Sequence, residues 1–239
     1  MTLRRETIVY RGPGGPFEGV AAWDDAVEGR RPAILVLPNV LGQKEADNRK
    51  ADALAGLGYV ALVADVYGQG KRTALSDPDY GRYMAELDAD RALLQARLTV
   101  SLDALIALPQ SDPDRLAAIG FCFGGKCVLD MIRSGLPIRG GVSFHGVYDP
   151  PPYYNFHPIL AKLLVCHGWD DPLGPPDKII ALAEEMTASG VDWQLHAYGH
   201  AGHAFTDASR TGGGNVAYEP KADRRSWRAM ENFVGELFG

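Results

Sequence analysis

Residues 119–125 read Ile-Gly-Phe-Cys-Phe-Gly-Gly, with a glycine two positions to either side of Cys122. A G-x-nucleophile-x-G run carries meaning when it joins a strand to a helix, because the chain must then turn sharply and hold the central side chain at the tip. Side chains two positions away would collide in such a turn, so Gly120 and Gly124 supply the missing Cβ atoms. The turn aims a sulfur at the start of the following helix, where backbone amides and the helix dipole favour a thiolate. The amide of Phe123 is expected to face a developing oxyanion. The competing reading is a small apolar cysteine in a glycine-rich turn. It is the weaker one, because strand, turn and helix follow in order.

A thiol needs a base, and the base needs a group to orient it. For a nucleophile elbow the expected chain order is nucleophile, acid, histidine, each on a loop after a strand. Gly168-Trp-Asp-Asp-Pro172 follows one apolar run, and Gly199-His-Ala-Gly-His-Ala-Phe205 follows the next. Spacing alone leaves Asp170 or Asp171 as the acid and His200 or His203 as the base. His145 and His167 each close a strand and read better as hydrogen-bonded structural histidines. Cys127 lies five residues past Cys122 and points elsewhere on a helix, so a redox or metal pair is not expected. Cys166 falls inside a buried strand.

The elements that must position these groups alternate along the chain. A hairpin is expected from Glu6–Tyr10 and Phe17–Trp23, around the turn chemistry of Gly12-Pro-Gly-Gly-Pro16. A continuous apolar run of strand length occurs at Ala33–Leu37, Tyr59–Ala64 reads as a second buried strand and Leu116–Ile119 as a short one, and Gly140–Phe144, Leu163–His167 and Asp192–Tyr198 also read as strands. Helical spacing covers Glu45–Leu57, one long span Glu86–Leu108, Gly124–Ser134, Asp177–Ala188 and Asp223–Leu237. This alternation predicts an α/β fold: a mostly parallel twisted sheet with helices on both faces and an N-terminal antiparallel hairpin. Ligands in such sheets sit beyond the carboxyl ends of the strands. No linker, repeat or charge block divides residues 1–239, which read as one domain. Thr211-Gly-Gly-Gly-Asn215 lacks the lysine of a phosphate loop and reads as a surface loop.

Bulk properties exclude more than they select. With 24 basic against 30 acidic residues the net charge is −6, which argues against coating nucleic acid. Three cysteines without framework spacing do not suggest a disulfide-built secreted protein. No run is apolar enough to span a bilayer, and the start of the chain lacks a signal peptide's apolar centre. A cytoplasmic protein, monomeric or a small homo-oligomer, with no membrane or nucleic-acid partner, is the expectation.

Taken together, Leu35-Val-Leu-Pro38 with Leu41-Gly42, Gly58-Tyr-Val-Ala-Leu62 leading to Asp65-Val-Tyr-Gly68, Gly120–Gly125 and Gly202-His-Ala-Phe205 resemble the dienelactone hydrolases of the α/β-hydrolase superfamily. The resemblance runs over nearly the whole chain, and a cysteine in the elbow is characteristic of that family. It implies Asp171 as the acid, His203 as the base and a second oxyanion amide at Val40. It implies hydrolysis of a small-molecule ester or lactone through a thioester, with no metal and no cofactor. Two departures stand out. Asn39 occupies the position of a glutamate that helps ionise the cysteine, and Gln69 and Asp207 stand where the family has substrate-gripping arginines. Lys71, Arg72 or Arg210 are candidate replacements, each equally readable as surface charge. Asn39, Tyr67 and Trp169 are candidate substrate contacts, and Tyr148, Tyr153, Tyr154 and Phe156 share the same predicted cleft-side loops. The alternatives are a general carboxylesterase or thioesterase for neutral acyl groups, and a non-catalytic protein of this fold that binds a small molecule.

Overall fold

The computed structural model describes residues 2–153 and 159–239; the expected cleft residues Tyr154 and Phe156 lie outside these. Among the described residues, eight strands form one sheet in the order β1-β2-β4-β3-β5-β6-β7-β8. The chain forms two compact units, residues 1–118 and 119–239.

In the first unit, β1 (Leu3–Gly12) and β2 (Gly15–Asp24) form the expected antiparallel hairpin. Gly12 and Arg11 are already paired with Gly15 and Pro16, so the turn proper is Pro13-Gly14, with Gly14 at φ 93°. A β-carbon on Gly14 would lie 2.7 Å from the guanidinium of Arg97, which is itself buried and donates to the carbonyls of Pro13, Val66 and Tyr67. β3 (Arg31–Leu37) and β4 (Val60–Val63) pair in parallel, and β4 runs antiparallel to β2. Both are continuous apolar runs buried over nearly their whole length, as strands covered on two faces must be. Helix α1 spans Glu45–Gly56.

The single long helix expected over Glu86–Leu108 is instead two, α2 (Arg82–Ala89) and α3 (Arg91–Ile106). Asp90 breaks the run. Its backbone leaves the helical region, and its carboxylate accepts the amide of Leu93 at 2.9 Å to cap α3. A capping aspartate competes well with helix continuation, and hydrophobic spacing does not register it. β5 (Ser111–Phe121) also starts earlier than its apolar stretch, because its first half is polar and partly exposed.

The second unit carries the end of β5, α4 (Phe123–Arg133), β6 (Gly140–Phe144), β7 (Lys162–Gly168), α5 (Pro176–Ala188), β8 (Trp193–Tyr198) and α6 (Pro220–Phe238). β6, β7 and β8 are parallel neighbours. Every residue of α4 is buried, including Lys126, Asp130 and Arg133. Their charges are matched by Asp149 at 3.0 Å for Lys126, and by Glu185 and Asp130 for Arg133. No helix among the described residues is long and apolar enough to cross a membrane.

The loop after β4 turns on Asp65. Its buried carboxylate accepts the amides of Glu18, Tyr67 and Gly68 at 2.9–3.1 Å, while its own backbone is held by the Tyr10 hydroxyl. Asp65→Asn replaces an acceptor with a donor facing those amides. It is expected to cost about 1–3 kcal/mol, read as a lower urea midpoint at unchanged slope.

Candidate active site

Cys122 sits between β5 and α4 at φ 57°, ψ −114°, a left-handed conformation that non-glycine residues rarely adopt. Two hydrogen bonds pin the turn: its amide donates to Phe144 at the end of β6 (3.0 Å), and its carbonyl accepts Lys126 in the first turn of α4 (3.2 Å). A β-carbon on Gly120 would lie 2.0 Å from the Gly124 carbonyl oxygen, closer than any real side chain approaches. The next glycine, Gly125, has the same restriction against Ser143 and Gly146. The helix start can therefore press directly on β5 and β6, which is what lifts the sulfur to the tip. The amide of Phe123 lies at that start, where helix amides point outward.

Of the two candidate carboxylates and two candidate histidines, burial separates one pair. Asp170 and His200 are exposed, whereas Asp171 and His203 are 2% and 4% exposed. His203 Nδ1–H donates to Asp171 Oδ2 at 2.8 Å, and the other carboxylate oxygen accepts the amide of Leu173 at 2.8 Å. An ionised carboxylate only accepts, so Nδ1 carries a proton. Nε2 is buried without a partner of ordinary hydrogen-bond geometry. The Cys122 sulfur is nevertheless close enough to act on the ring through hydrogen bonding and charge. Burial alone would lower the imidazole pKa; the hydrogen bonds and charges of Asp171 and Cys122 outweigh it and hold the ring up to about 10.

The loops bearing these groups are zipped together. Asp170 N–H donates to the carbonyl of Ala201, and Trp169 N–H to that of Tyr198. Gly168 lies against the Ala201 and Gly202 carbonyls with no room for a Cβ. Gly202 in turn abuts Asn215, whose carbonyl accepts the His203 amide at 2.7 Å, and His203 bridges to Val216. The Thr211–Asn215 loop is exposed as expected, yet its end anchors the histidine loop. Only the glycine at 202 hinted at that contact.

Strain gathers in the same place. The non-glycine residues with positive φ among the described residues are Cys122, His145, His200 and Ala204, each on or beside one of these loops. His145 binds Thr206 at 2.8 Å, and its ring stands edge-on to His203 and Phe205 at about 5 Å. His167 is fully buried and bonded to the Tyr148 hydroxyl at 3.0 Å. Both are buried and hydrogen-bonded, as structural histidines are. None of the three cysteines forms a disulfide; Cys166 is buried, and burial pushes its thiol up to about 12. No group of side chains able to hold a metal ion occurs among the described residues.

The remaining candidates divide between the units. Trp169 is 47% exposed, with its ring 6.3 Å from that of His167. In the first unit, Asn39 folds its own loop: its side-chain oxygen accepts the Leu41 amide and its carbonyl accepts that of Gly42. Val40 is buried, and its carbonyl accepts the hydroxyl of the buried Tyr67 at 3.2 Å. Arg72 is engaged by Gln43 and the Glu18 carbonyl, and Lys71 lies over the Tyr83 ring. Gln69 pairs with Glu18. Arg210 lies 3.9 Å from Asp207.

Residues 17–238 match the model of the dienelactone hydrolase family. The chain belongs to the dienelactone hydrolase family. Membership makes it a dienelactone hydrolase-like hydrolase acting on ester or lactone bonds of small molecules. The chain is 35% identical to a dienelactone hydrolase-like promiscuous phosphotriesterase from metagenomic libraries. That crystal structure covers 100% of both chains at a TM-score of 0.93. The chain is also 28% identical over 214 residues to a Bradyrhizobium protein described as a probable 2-oxo-3-(5-oxofuran-2-ylidene)propanoate lactonase, covering 84% of this chain and 82% of the other. An α/β hydrolase from a Medee basin deep-sea metagenome, 16% identical with a TM-score of 0.71 over 99% and 98% of the chains, matches in fold alone.

The elbow makes the first test of this geometry. Gly120→Ala is expected to cost about 3 kcal/mol or more through backbone overlap. Gly199→Ala, where a Cβ meets nothing within 4 Å, is expected to change stability by less than about 0.5 kcal/mol. Thermal unfolding of the two variants side by side reads the difference.

Proposed function

We propose that this dienelactone hydrolase-family chain works through Cys122, His203 and Asp171, with a thioester intermediate. The observation that carries the reading is the buried His203–Asp171 hydrogen bond, on a ring that also feels the thiol of the strained elbow. A ring held up to about 10 is protonated at neutral pH, which favours a thiolate–imidazolium pair before substrate arrives. That route to a thiolate needs no carboxylate at position 39, where this chain has Asn39.

The steps follow from that starting pair. The thiolate attacks the carbonyl carbon, a C–S bond forms, and the C=O electron pair moves to oxygen. The amide of Phe123 at the start of α4 stabilises that oxyanion; family resemblance assigns a second donor at Val40. Collapse breaks the C–O bond, and the leaving alkoxide takes the proton from His203 Nε2. In a lactone the alkoxide stays tethered to the acyl group. Water then attacks the thioester while neutral His203 accepts its proton, releasing the carboxylic acid and restoring the ion pair. Asp171 holds the ring in the tautomer these transfers need and offsets its charge. The same reading treats residues 1–239 as one α/β-hydrolase domain.

The substrate side favours uncharged acyl groups over carboxylate-bearing lactones. The family's arginine positions hold Gln69 and Asp207, and Arg72 is already committed to Gln43 and the Glu18 carbonyl. A second reading, phosphotriester hydrolysis at the same thiolate, is supported by the full-length likeness to the promiscuous phosphotriesterase.

On p-nitrophenyl acetate, Cys122→Ala is expected to fall to background and His203→Ala to lose about a thousandfold or more in kcat. Equal rates in all three proteins would overturn the cysteine mechanism. Diethyl p-nitrophenyl phosphate run in parallel tests the second reading, which requires the same Cys122 dependence. Nitrogen NMR supplies an independent check. The His203 ring is expected to stay protonated up to about pH 10 in the wild type. In Cys122→Ala its titration moves down toward the ordinary value of about 6.5. At pH 8 the wild-type ring then carries a charge that the variant lacks.

A further inference from the structure

Asp171 begins a tight turn whose other end, Gly174, is in contact with two buried rings. The Asp171 side chain accepts the Leu173 amide at 2.8 Å, and its carbonyl accepts the Gly174 amide at 3.3 Å. A β-carbon on Gly174 would lie 2.7 Å from Tyr148 Cε2 and 3.2 Å from His167 Cε1. The rings stand edge to face at 5.7 Å, and the Tyr148 hydroxyl is 3.0 Å from His167 Nδ1. His167 is the penultimate residue of β7 and is 0% exposed; Tyr148 is 3% exposed.

One feature of His167 is costly without a role. Its Nε2 is buried and has no hydrogen-bond partner, and buried polar atoms in that state call for a reason. Burial pushes its pKa down, Asp171 pulls it up and His203 pushes it down again, with the net shift downward. The ring is therefore neutral, and it stands within charge range of both members of the His203–Asp171 pair. A cation there would draw the carboxylate's charge away from His203. An apolar ring would fill the space but would lose the bond to Tyr148 that fixes its rotation.

We propose that His167, held by Tyr148, is a positioning residue that sets the acid turn through Gly174 and so fixes Asp171 against His203. The inference rests on the proposed Cys122–His203–Asp171 mechanism. A turn displaced by an ångström at Gly174 moves the carboxylate by a similar amount, because Gly174 and Asp171 are hydrogen-bonded across it. Displacements of that size cost about a hundredfold in rate where reacting groups must be aligned.

The experiment measures kcat, KM and the His203 nitrogen titration in Gly174→Ala, His167→Asn and His167→Phe. Gly174→Ala pushes the turn off the two rings; His167→Asn withdraws the ring and keeps a polar group; His167→Phe restores the bulk. For the first two, kcat is expected to fall about tenfold or more with KM changed less than about threefold. Their His203 titration is expected to move down from about 10, and His167→Phe recovers part of both losses. If Gly174→Ala does not fold, the His167→Asn and His167→Phe pair decides. Wild-type kcat and titration in His167→Asn, with Cys122→Ala still inactive, overturn this inference alone. Full activity in Cys122→Ala overturns the mechanism beneath it.

Discussion

The approach of one backbone to another at the elbow is the constraint on which the site depends. The Gly124 carbonyl occupies the volume a Cβ at Gly120 would need, and Gly125 presses in the same way on Ser143 and Gly146. Without that contact α4 would stand off the sheet, and Cys122 would not be held in the left-handed conformation that presents its sulfur. The elbow amide bonded to Phe144 and the carbonyl bonded to Lys126 fix the turn from both sides. Residues in such strained conformations persist only where their surroundings over-determine them. The all-buried α4, with each of its charges matched, supplies those surroundings.

Around this point the same device recurs with other residues. Gly168 meets the carbonyls of Ala201 and Gly202, Gly202 meets Asn215, and Gly174 meets Tyr148 and His167. Each contact removes a side chain to bring one loop against the next. Hydrogen bonds from Trp169, Asp170 and His203 then lock the loops together. The electrostatics follow from the geometry. A histidine pushed down by burial is pulled up further by a buried carboxylate and by the thiol, while a second buried histidine nearby is left neutral. Two imidazoles under the influence of one carboxylate end with opposite shifts because only one shares a hydrogen bond with it.

Much of the fold was legible because its signals are local. The buried parallel strand at 33–37 shows as an unbroken apolar run, those at 140–144 and 163–167 as short, largely apolar segments, and turn residues mark the hairpin. The span 86–108 shows where local patterning stops. Apolar spacing continues across Asp90, but the aspartate's cap on Leu93 ends one helix and begins another. At position 39 the sequence shows the residue type, whereas the bond from the Leu41 amide to the Asn39 side-chain oxygen shows only in the folded loop.

By itself the sequence determined which residue types could act and on which loops they lie: a cysteine between glycines 120 and 124, then carboxylates at 170 and 171, then histidines at 200 and 203. The reason is that an elbow and loops after strands are written in adjacent residues. Spacing left open which neighbour turns inward; the family resemblance pointed to Asp171 and His203, and the tertiary structure buries those two. Asp171 and His203 are buried and bonded while Asp170 and His200 face solvent. It also brought Asn215 to the histidine loop and Tyr148 with His167 to the acid turn. Those contacts join different loops and elements, and their energy comes from packing and burial that no local pattern encodes.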